Sequence, residues 1–494
     1  MARPAAGSHR RGRDGRRREG VRPAQSRDRL ADAAPDRRGG DAMIRLVPRL
    51  VLAATLALIT ALPARAIVDI VPVTSPGGIE AWLVEDHSIP FVALEIRFRG
   101  GYALDPEDAQ GVGYLMTGLL EEGAADMDAR AYAQRTEALA ADFDFDISLD
   151  TVSVSAKMLS ENRDAAVEHL RAALIEPRFD EDAIERVRAQ IQSIIASNAQ
   201  DPGDIANARF DAIAFPGDPY GRTKEGTRER VAALTRDDIV AAHLGMMARD
   251  RVYVGAAGDI TAEELGLLLD RLLGDLPATG LPVPPATVPQ LTGGITVVPF
   301  DTPQSVAIFG HEGMMRDDPD YIPAFILNQI VGGGGFSSRL MTEVREERGL
   351  TYGIGSYLVP FDRAALYMGQ FSSDNSTMAE AIAVVQDQWA DIATNGITAE
   401  ELEAAKTYLT GAYPLRFDGN GRIANILVGM QMADLGLDYI PTRNDQVNAV
   451  TLDEINAVAA RSCVPTRCGS WSWGGPRGFR ARTENILPTR APPC

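Results

Sequence analysis

The chain repeats itself. Phe179-Asp180-Glu181-Asp182-Ala183-Ile184-Glu185 is matched in kind by Ile397-Thr398-Ala399-Glu400-Glu401-Leu402-Glu403, 218 positions later. Leu234-Thr235-Arg236-Asp237-Asp238-Ile239 is matched by Val450-Thr451-Leu452-Asp453-Glu454-Ile455, and Asp105-Pro106-Glu107 by Asp318-Pro319-Asp320. The first two pairs read as helix starts, a capping residue followed by early acids. A spacing near 215 residues is too long for a solenoid and fits two copies of one large unit. Between the copies, residues 277–294 are rich in Pro, Thr and Gly, a linker composition.

Within a copy, strands come first. Ile79–Glu85 and Phe91–Arg99 are rich in strand formers, and Asp142–Asp150 alternates Phe143, Phe145, Ile147 and Leu149 against Asp142, Asp144, Asp146 and Asp150. Thr151–Lys157 alternates again, so the pair predicts a hairpin with one wet face. Helical stretches follow at Glu161–Ile175, Asp180–Asn198, Ala206–Ala214 and Asp237–Met247, then a strand at Arg251–Gly255. Such blocks predict an α+β fold: two homologous repeats, each an antiparallel sheet with helices packed on one face.

The second copy breaks this pattern at its end. After the helix Leu452–Arg461 there is no β-branched run where the strand belongs. Residues 461–494 turn basic and hold all three cysteines, Cys463, Cys468 and Cys494, which reads as a frameshift near Arg461. The other end is also unusual. Arg45 and Arg49, an apolar run Leu50–Leu62 and Ala64-Arg65-Ala66 predict a signal peptide over 43–66. Residues 1–42 then read as an upstream segment from a misassigned start. The expected organisation is therefore 67–276, linker 277–294, 295–460, and an aberrant tail 461–494. The predicted location is periplasmic or secreted, with no membrane span once the signal is removed.

Asp and Glu outnumber Lys and Arg by 68 to 49. Both ends are basic, so the body is more acidic still. A phosphate backbone is repelled by such a surface, which excludes a nucleic-acid partner, while basic peptides are attracted. The five His (His9, His87, His169, His243, His311) are far apart, and no HExxH or HxxEH places two imidazoles on one helix face. There is no GxSxG, and the body before the tail has no Cys nucleophile. Gly332–Gly335 lacks the Lys-Ser/Thr of a phosphate loop. Asp142, Asp144 and Asp146 have calcium-loop spacing without its Gly and Glu, and read as a strand's wet face.

Gly100-Gly101-Tyr102-Ala103-Leu104-Asp105-Pro106, continuing through Gly111-Val112-Gly113-Tyr114-Leu115-Met116-Thr117-Gly118-Leu119-Leu120-Glu121-Glu122-Gly123, resembles the insulinase/pitrilysin (inverzincin) metallopeptidase family. Its equivalent helix carries H-x-x-E-H. Phe215–Gly221 resembles the family's H-P-Y-G segment. Phe336-Ser337-Ser338-Arg339-Leu340 with Glu343-Val344-Arg345-Glu346-Glu347-Arg348-Gly349-Leu350-Thr351-Tyr352 resembles its second-domain signature. The resemblance spans roughly 67–460.

The departures are specific. Tyr114 stands at the first ligand His, Thr117 at the catalytic Glu and Gly118 at the second His; Ser193 or Ile194 stands at the third ligand. The resemblance thus implies a degenerate zinc site, with no metal or cofactor held by this chain. Without a zinc-bound water and its base, peptide hydrolysis by this chain alone is not expected. Arg345 and Tyr352 survive. In the family such a pair reaches another domain's zinc and steadies the substrate carbonyl and its developing oxyanion, and Gly332–Gly335, with Gly333, Gly334 and Gly335, would lie along the substrate path. The resemblance implies the non-zinc subunit of a periplasmic heterodimer. A partner supplies H-x-x-E-H and zinc, and the substrates are peptides. The alternative is a structural or peptide-binding member with no part in catalysis.

Overall fold

Each repeat is organised around one β-sheet, and the five strands of the second sheet follow the order of five of the six in the first. The structure, a computed structural model, describes residues 68–463 and the backbone of Ser470–Gly475. The expected segments 1–42 and 43–66, Cys468, Cys494 and residues 476–494 lie outside the described residues. The first sheet is built from β1 (Val71–Thr74), β2 (Glu80–Glu85), β3 (Phe91–Arg99), β6 (Asp142–Ile147), β7 (Thr151–Leu159) and β8 (Val252–Gly258). A two-stranded ribbon, β4 (Gly123–Ala124) with β5 (Met127–Asp128), stands apart. The second sheet is built from β9 (Ile295–Pro299), β10 (Gln304–Glu312), β11 (Ile354–Pro360), β12 (Ala365–Asp374) and β13 (Ser470–Gly475).

The orders are β1-β2-β8-β3-β7-β6 and, read from the other end, β9-β13-β10-β12-β11. β9 corresponds to β2, β13 to β8, β10 to β3, β12 to β7 and β11 to β6. The order refines the expected antiparallel sheets, which hold with one parallel pair in each. β8 runs parallel to β2, and β13 parallel to β9, because each of these strands returns from a long helical excursion instead of a hairpin. The same order corrects the expectation that no strand closes the second sheet. Ser470-Trp471-Ser472-Trp473 alternates small and aromatic residues, and its backbone pairs with both β9 and β10. Aromatic residues favour strands as β-branched ones do.

The helices of the first repeat are α1 (Val112–Gly118), α2 (Ala129–Ala138), α3 (Arg163–Ile175), α4 (Glu181–Asn198), α5 (Pro202–Ala214), α6 (Arg228–Ala233), α7 (Arg236–Met246) and α8 (Ala262–Leu273). Those of the second are α9 (Tyr321–Asn328), α10 (Met378–Asn395), α11 (Ala399–Gly411), α12 (Asn420–Met432), α13 (Tyr439–Ala449) and α14 (Leu452–Ser462). Capping boxes start α7, α8, α11 and α14, through Thr235–Asp238, Thr261–Glu264, Thr398–Glu401 and Thr451–Glu454. Asp180, expected to cap α4, gives its carboxylate to Arg178 Nε at 2.6 Å instead.

Helices do not keep to one face. α12, from the second repeat, lies across β8, β3 and β2 of the first sheet, and α5, from the first repeat, lies across β10 and β13 of the second. The two helices occupy the same place in the repeat, 218 residues apart. Ile423, Ala424 and Leu427 are buried against Val84, Ala93 and Ala257; Phe210 and Ala214 are buried with Ile308 and Leu366. Gly255 allows the first contact, since a Cβ there would lie 2.2 Å from Ala424 O. The exchange welds the repeats, which explains why each sheet carries apolar residues on both faces. Residues 277–294 contain no helix or strand, yet Leu281 N bonds Gly245 O at 2.8 Å and Gln290 N bonds Ala214 O at 2.7 Å.

Candidate functional site

The zinc-motif positions lie on α1, which packs against β6, α4 and α7. The helix is short, and its entry is tied by Asp105. The Asp105 carboxylate accepts Gly111 N at 2.7 Å and Gly113 N at 3.1 Å. Burial pushes this carboxyl up to about 7, against the pull of those two amides and of Arg222. Gly111 takes a left-handed φ of 88°, and a Cβ there would meet Glu225 O at 2.5 Å, so only glycine fits the turn into α1.

None of the residues in the ligand positions can serve zinc. Tyr114 is half-buried against the core, with Lys224 Nζ 4.8 Å above its ring. Thr117 is buried and donates its hydroxyl to the carbonyls of Gly113 and Tyr114 at 3.2 and 3.1 Å. Gly118 has no side chain. Ser193, on α4, donates to Ala189 O at 2.9 Å, and Ile194 offers no donor atom. Zinc needs three or four N, S or O ligands at bonding distance. Among the described residues no group of three His, Cys, Asp or Glu could hold a metal ion. The donor set does not fit the metal that the motif resemblance implies.

The second signature folds around two π-helical turns, Gln329–Gly333 and Met341–Glu346. Such turns are rare and are frequent at functional sites. Gly332 is required by packing: a Cβ would lie 2.3 Å from Ser356 Oγ and 2.6 Å from its backbone N. Gly333 and Gly334 approach Asn328 and Gln329 as closely, while Gly335 takes a φ of 57° in open space. Phe336 then projects into solvent, two-thirds exposed.

The three arginines of this signature have different fates. Arg339 grips Glu401 with two bonds, at 2.6 and 2.8 Å, and reaches Asp391 at 3.2 Å. It thereby clamps the start of α11. Arg348 pairs with Glu343 at 2.6 Å. Arg345 has no carboxylate partner among the described residues; its guanidinium lies 4.6 Å from the centre of the Phe336 ring. Tyr352 lies in the loop before β11, not in a strand, and is 85% exposed.

The H-P-Y-G-like segment has a role that its sequence did not reveal. Tyr220 donates its hydroxyl to Asp150 Oδ1 at 2.6 Å and accepts Arg363 N at 3.0 Å. Arg363, from the second repeat, makes a two-pronged pair with Asp218 at 3.1 and 2.8 Å and is buried. Burial pushes the Asp218 carboxyl up, but hydrogen bonds from Arg363 and the Tyr220 amide outweigh it and hold it below its ordinary value. The segment fastens one repeat to the other. The histidines are occupied in the body of the protein: His169 Nε2 meets Thr136 at 2.8 Å, and His243 Nε2 meets Leu174 O at 2.9 Å. Asp142, Asp144 and Asp146 are exposed on β6, as a wet strand face.

Comparison with known proteins agrees with this geometry. Residues 81–228 match the insulinase family of M16 peptidases, and residues 233–409 match the peptidase M16 inactive domain. A Helicobacter pylori protein named non-peptidase homolog YmxG is 26% identical over 374 residues, 75% of this chain and 86% of its own. A Bacillus subtilis protein named uncharacterized zinc protease YmxG is 22% identical, over 78% of this chain and 94% of its own. The crystal structure of a peptidase M16 inactive domain from Pseudomonas fluorescens superposes with a TM-score of 0.77 at 27% identity, over 83% of this chain and 98% of that one.

Proposed function

We propose that this chain, which belongs to the insulinase (M16) peptidase family, is the non-zinc subunit of a two-chain, exported peptidase. A related subunit bearing H-x-x-E-H supplies the zinc and the base. This chain supplies Arg345 and Tyr352 to the shared site. The observation that carries the reading is the contrast within one signature: Arg339 and Arg348 are neutralised by carboxylates and Arg345 is not. A guanidinium resting on an exposed Phe336, seven residues before an uncovered Tyr352, is available to a negatively charged oxygen brought by another molecule. Gly333, Gly334 and Gly335 keep the neighbouring surface free of side chains for a passing peptide.

The chemistry assigned to this chain is limited to its own groups. Arg345 and the Tyr352 hydroxyl orient a peptide carbonyl and donate to its oxygen as negative charge develops there. The test is cleavage of a quenched fluorogenic peptide by the chain, its H-x-x-E-H partner, and the mixture. Activity should appear only on mixing. Arg345→Ala should lower kcat by roughly a hundredfold, the scale of a lost oxyanion donor, with the two chains still co-eluting. A structural or peptide-binding member without catalytic part is the second reading, favoured by the Arg345–Phe336 contact. It is the correct one if Arg345→Ala leaves the mixture's kcat unchanged.

A further inference from the structure

A second site is built where the repeats meet. A cavity of about 1300 Å³ opens between the outer face of β3, the turn between β6 and β7, α12, α13 and the segment leading into α9. Neither Tyr114, Arg345 nor Tyr352 lines it. Six arginines do: Arg97, Arg99, Arg316, Arg416, Arg422 and Arg443. Three aspartates line it as well, and one of these, Asp362, is taken by Arg99 at 2.9 Å. The other five arginines have no carboxylate within ion-pair distance among the described residues.

That is an unusual arrangement in a chain whose acids exceed its bases by 19. Elsewhere Arg163, Arg186, Arg339 and Arg363 each hold a carboxylate. In the cavity three of the five are held by neutral groups. Arg97 donates to Asn425, and its Nε is buried without a hydrogen-bond partner. Arg316 donates to the Tyr439 hydroxyl at 2.7 Å and stacks on Tyr321 at 4.3 Å. Arg443 is only 4% exposed, donates to Leu409 O at 2.7 Å, and lies 4.4 Å from the Tyr413 ring centre. A cation buried without a counter-charge is costly to the fold alone. Arg416 and Arg422 are exposed and complete the basic lining.

We propose that this cavity binds an acidic peptide segment, one bearing several carboxylates interleaved with apolar side chains. Guanidinium forks match carboxylates in pairs of hydrogen bonds. The volume exceeds that of ordinary small-molecule pockets. Ile322, Phe325, Ile426 and Leu435 offer apolar wall between the charges. The proposal stands apart from the role of Arg345 and Tyr352 and does not rest on it.

The experiment uses the full chain and a short fluorescein-labelled peptide of alternating Glu and Phe, followed by fluorescence anisotropy. The same peptide with Gln for Glu should bind roughly tenfold more weakly or worse, and so should the Glu peptide to the Arg416→Gln/Arg422→Gln variant. Both positions are exposed, so the variant should fold, and its unchanged melting temperature checks this. Equal affinity for the Glu and Gln peptides, no binding of either, or an unaltered affinity in the double variant would overturn the proposal. So would tripolyphosphate displacing the label at a lower concentration than unlabelled Glu peptide, which would make the cavity a site for small anions.

Discussion

At the scale of single residues, burial without a partner is the recurring theme. Asp211 on α5 sits among Tyr102 and Tyr357, and no hydrogen-bond partner is found for its carboxylate among the described residues. Burial alone pushes it up to about 7. The native state therefore holds a proton that the unfolded chain releases near its ordinary carboxylate pKa. Between about pH 4 and about pH 7 the folded state binds more protons than the unfolded one, so this residue's contribution to stability falls as pH rises through that window. Thermal melts of Asp211→Asn should show a smaller fall than wild type from about pH 5 to about pH 8, with the variant the more stable at the upper end. A parallel fall in both proteins would show that Asp211 is solvated. The same scale separates Arg345 from Arg339. Spacing alone marks both as basic positions on a helical stretch, and only the fold shows which one finds Glu401 and Asp391.

At the scale of elements, what holds the halves together is a reciprocal exchange and a clasp. α5 and α12 each leave their own sheet to cover the partner repeat's sheet. The Arg363–Asp218 pair and the Tyr220 hydroxyl pin the loop after β11 to the first repeat. Removing one member of a buried pair strands the other charge, at a cost of about 3–5 kcal/mol. Arg363→Ala should lower denaturant stability by roughly that amount, and double-mutant coupling with Asp218→Ala should recover much of it. Independent effects of the two changes would mean that the pair is dispensable. β13 supplies the other element-scale test. It hydrogen-bonds to β9 and β10 in the place that β8 holds between β2 and β3. A chain ending at Cys463 leaves both neighbours with open edges. Its second repeat should lose amide-exchange protection in β9 and β10 while β2 and β3 keep theirs. Unchanged protection across both sheets would remove β13 from the folded core.

At the scale of the whole molecule, one chain contains two copies of a fold, and among the described residues neither copy presents a metal-ligand set. Thr117 bonds its own helix, Ser193 does the same, and Gly118 has nothing to offer. The purified chain should therefore fail to take up stoichiometric zinc after incubation and desalting, with metal read by atomic emission. One equivalent of bound zinc would show that ligands have been assembled from elsewhere. The pattern of charge acts on the same scale. An acidic body with a cavity whose arginines, Arg99 apart, lack a carboxylate partner among the described residues presents two opposite signs to its surroundings.

The repeat, the capped helix starts, the alternating hairpin β6–β7 and the absence of H-x-x-E-H are legible in residue order alone. These are local facts, written in periods of two and 3.6 residues and in residue identity at fixed spacings. The sequence also carries the second signature, with Arg345 and Tyr352 at fixed spacing within it. The exchange of α5 and α12, the strand at Ser470–Gly475, the Tyr220–Arg363 clasp and the arginine cavity were decided only by the tertiary structure. Each depends on residues far apart in the chain reaching one another. Whether an arginine is clamped or left open is set by which carboxylate the folded chain brings within about 4 Å, a distance no local pattern encodes.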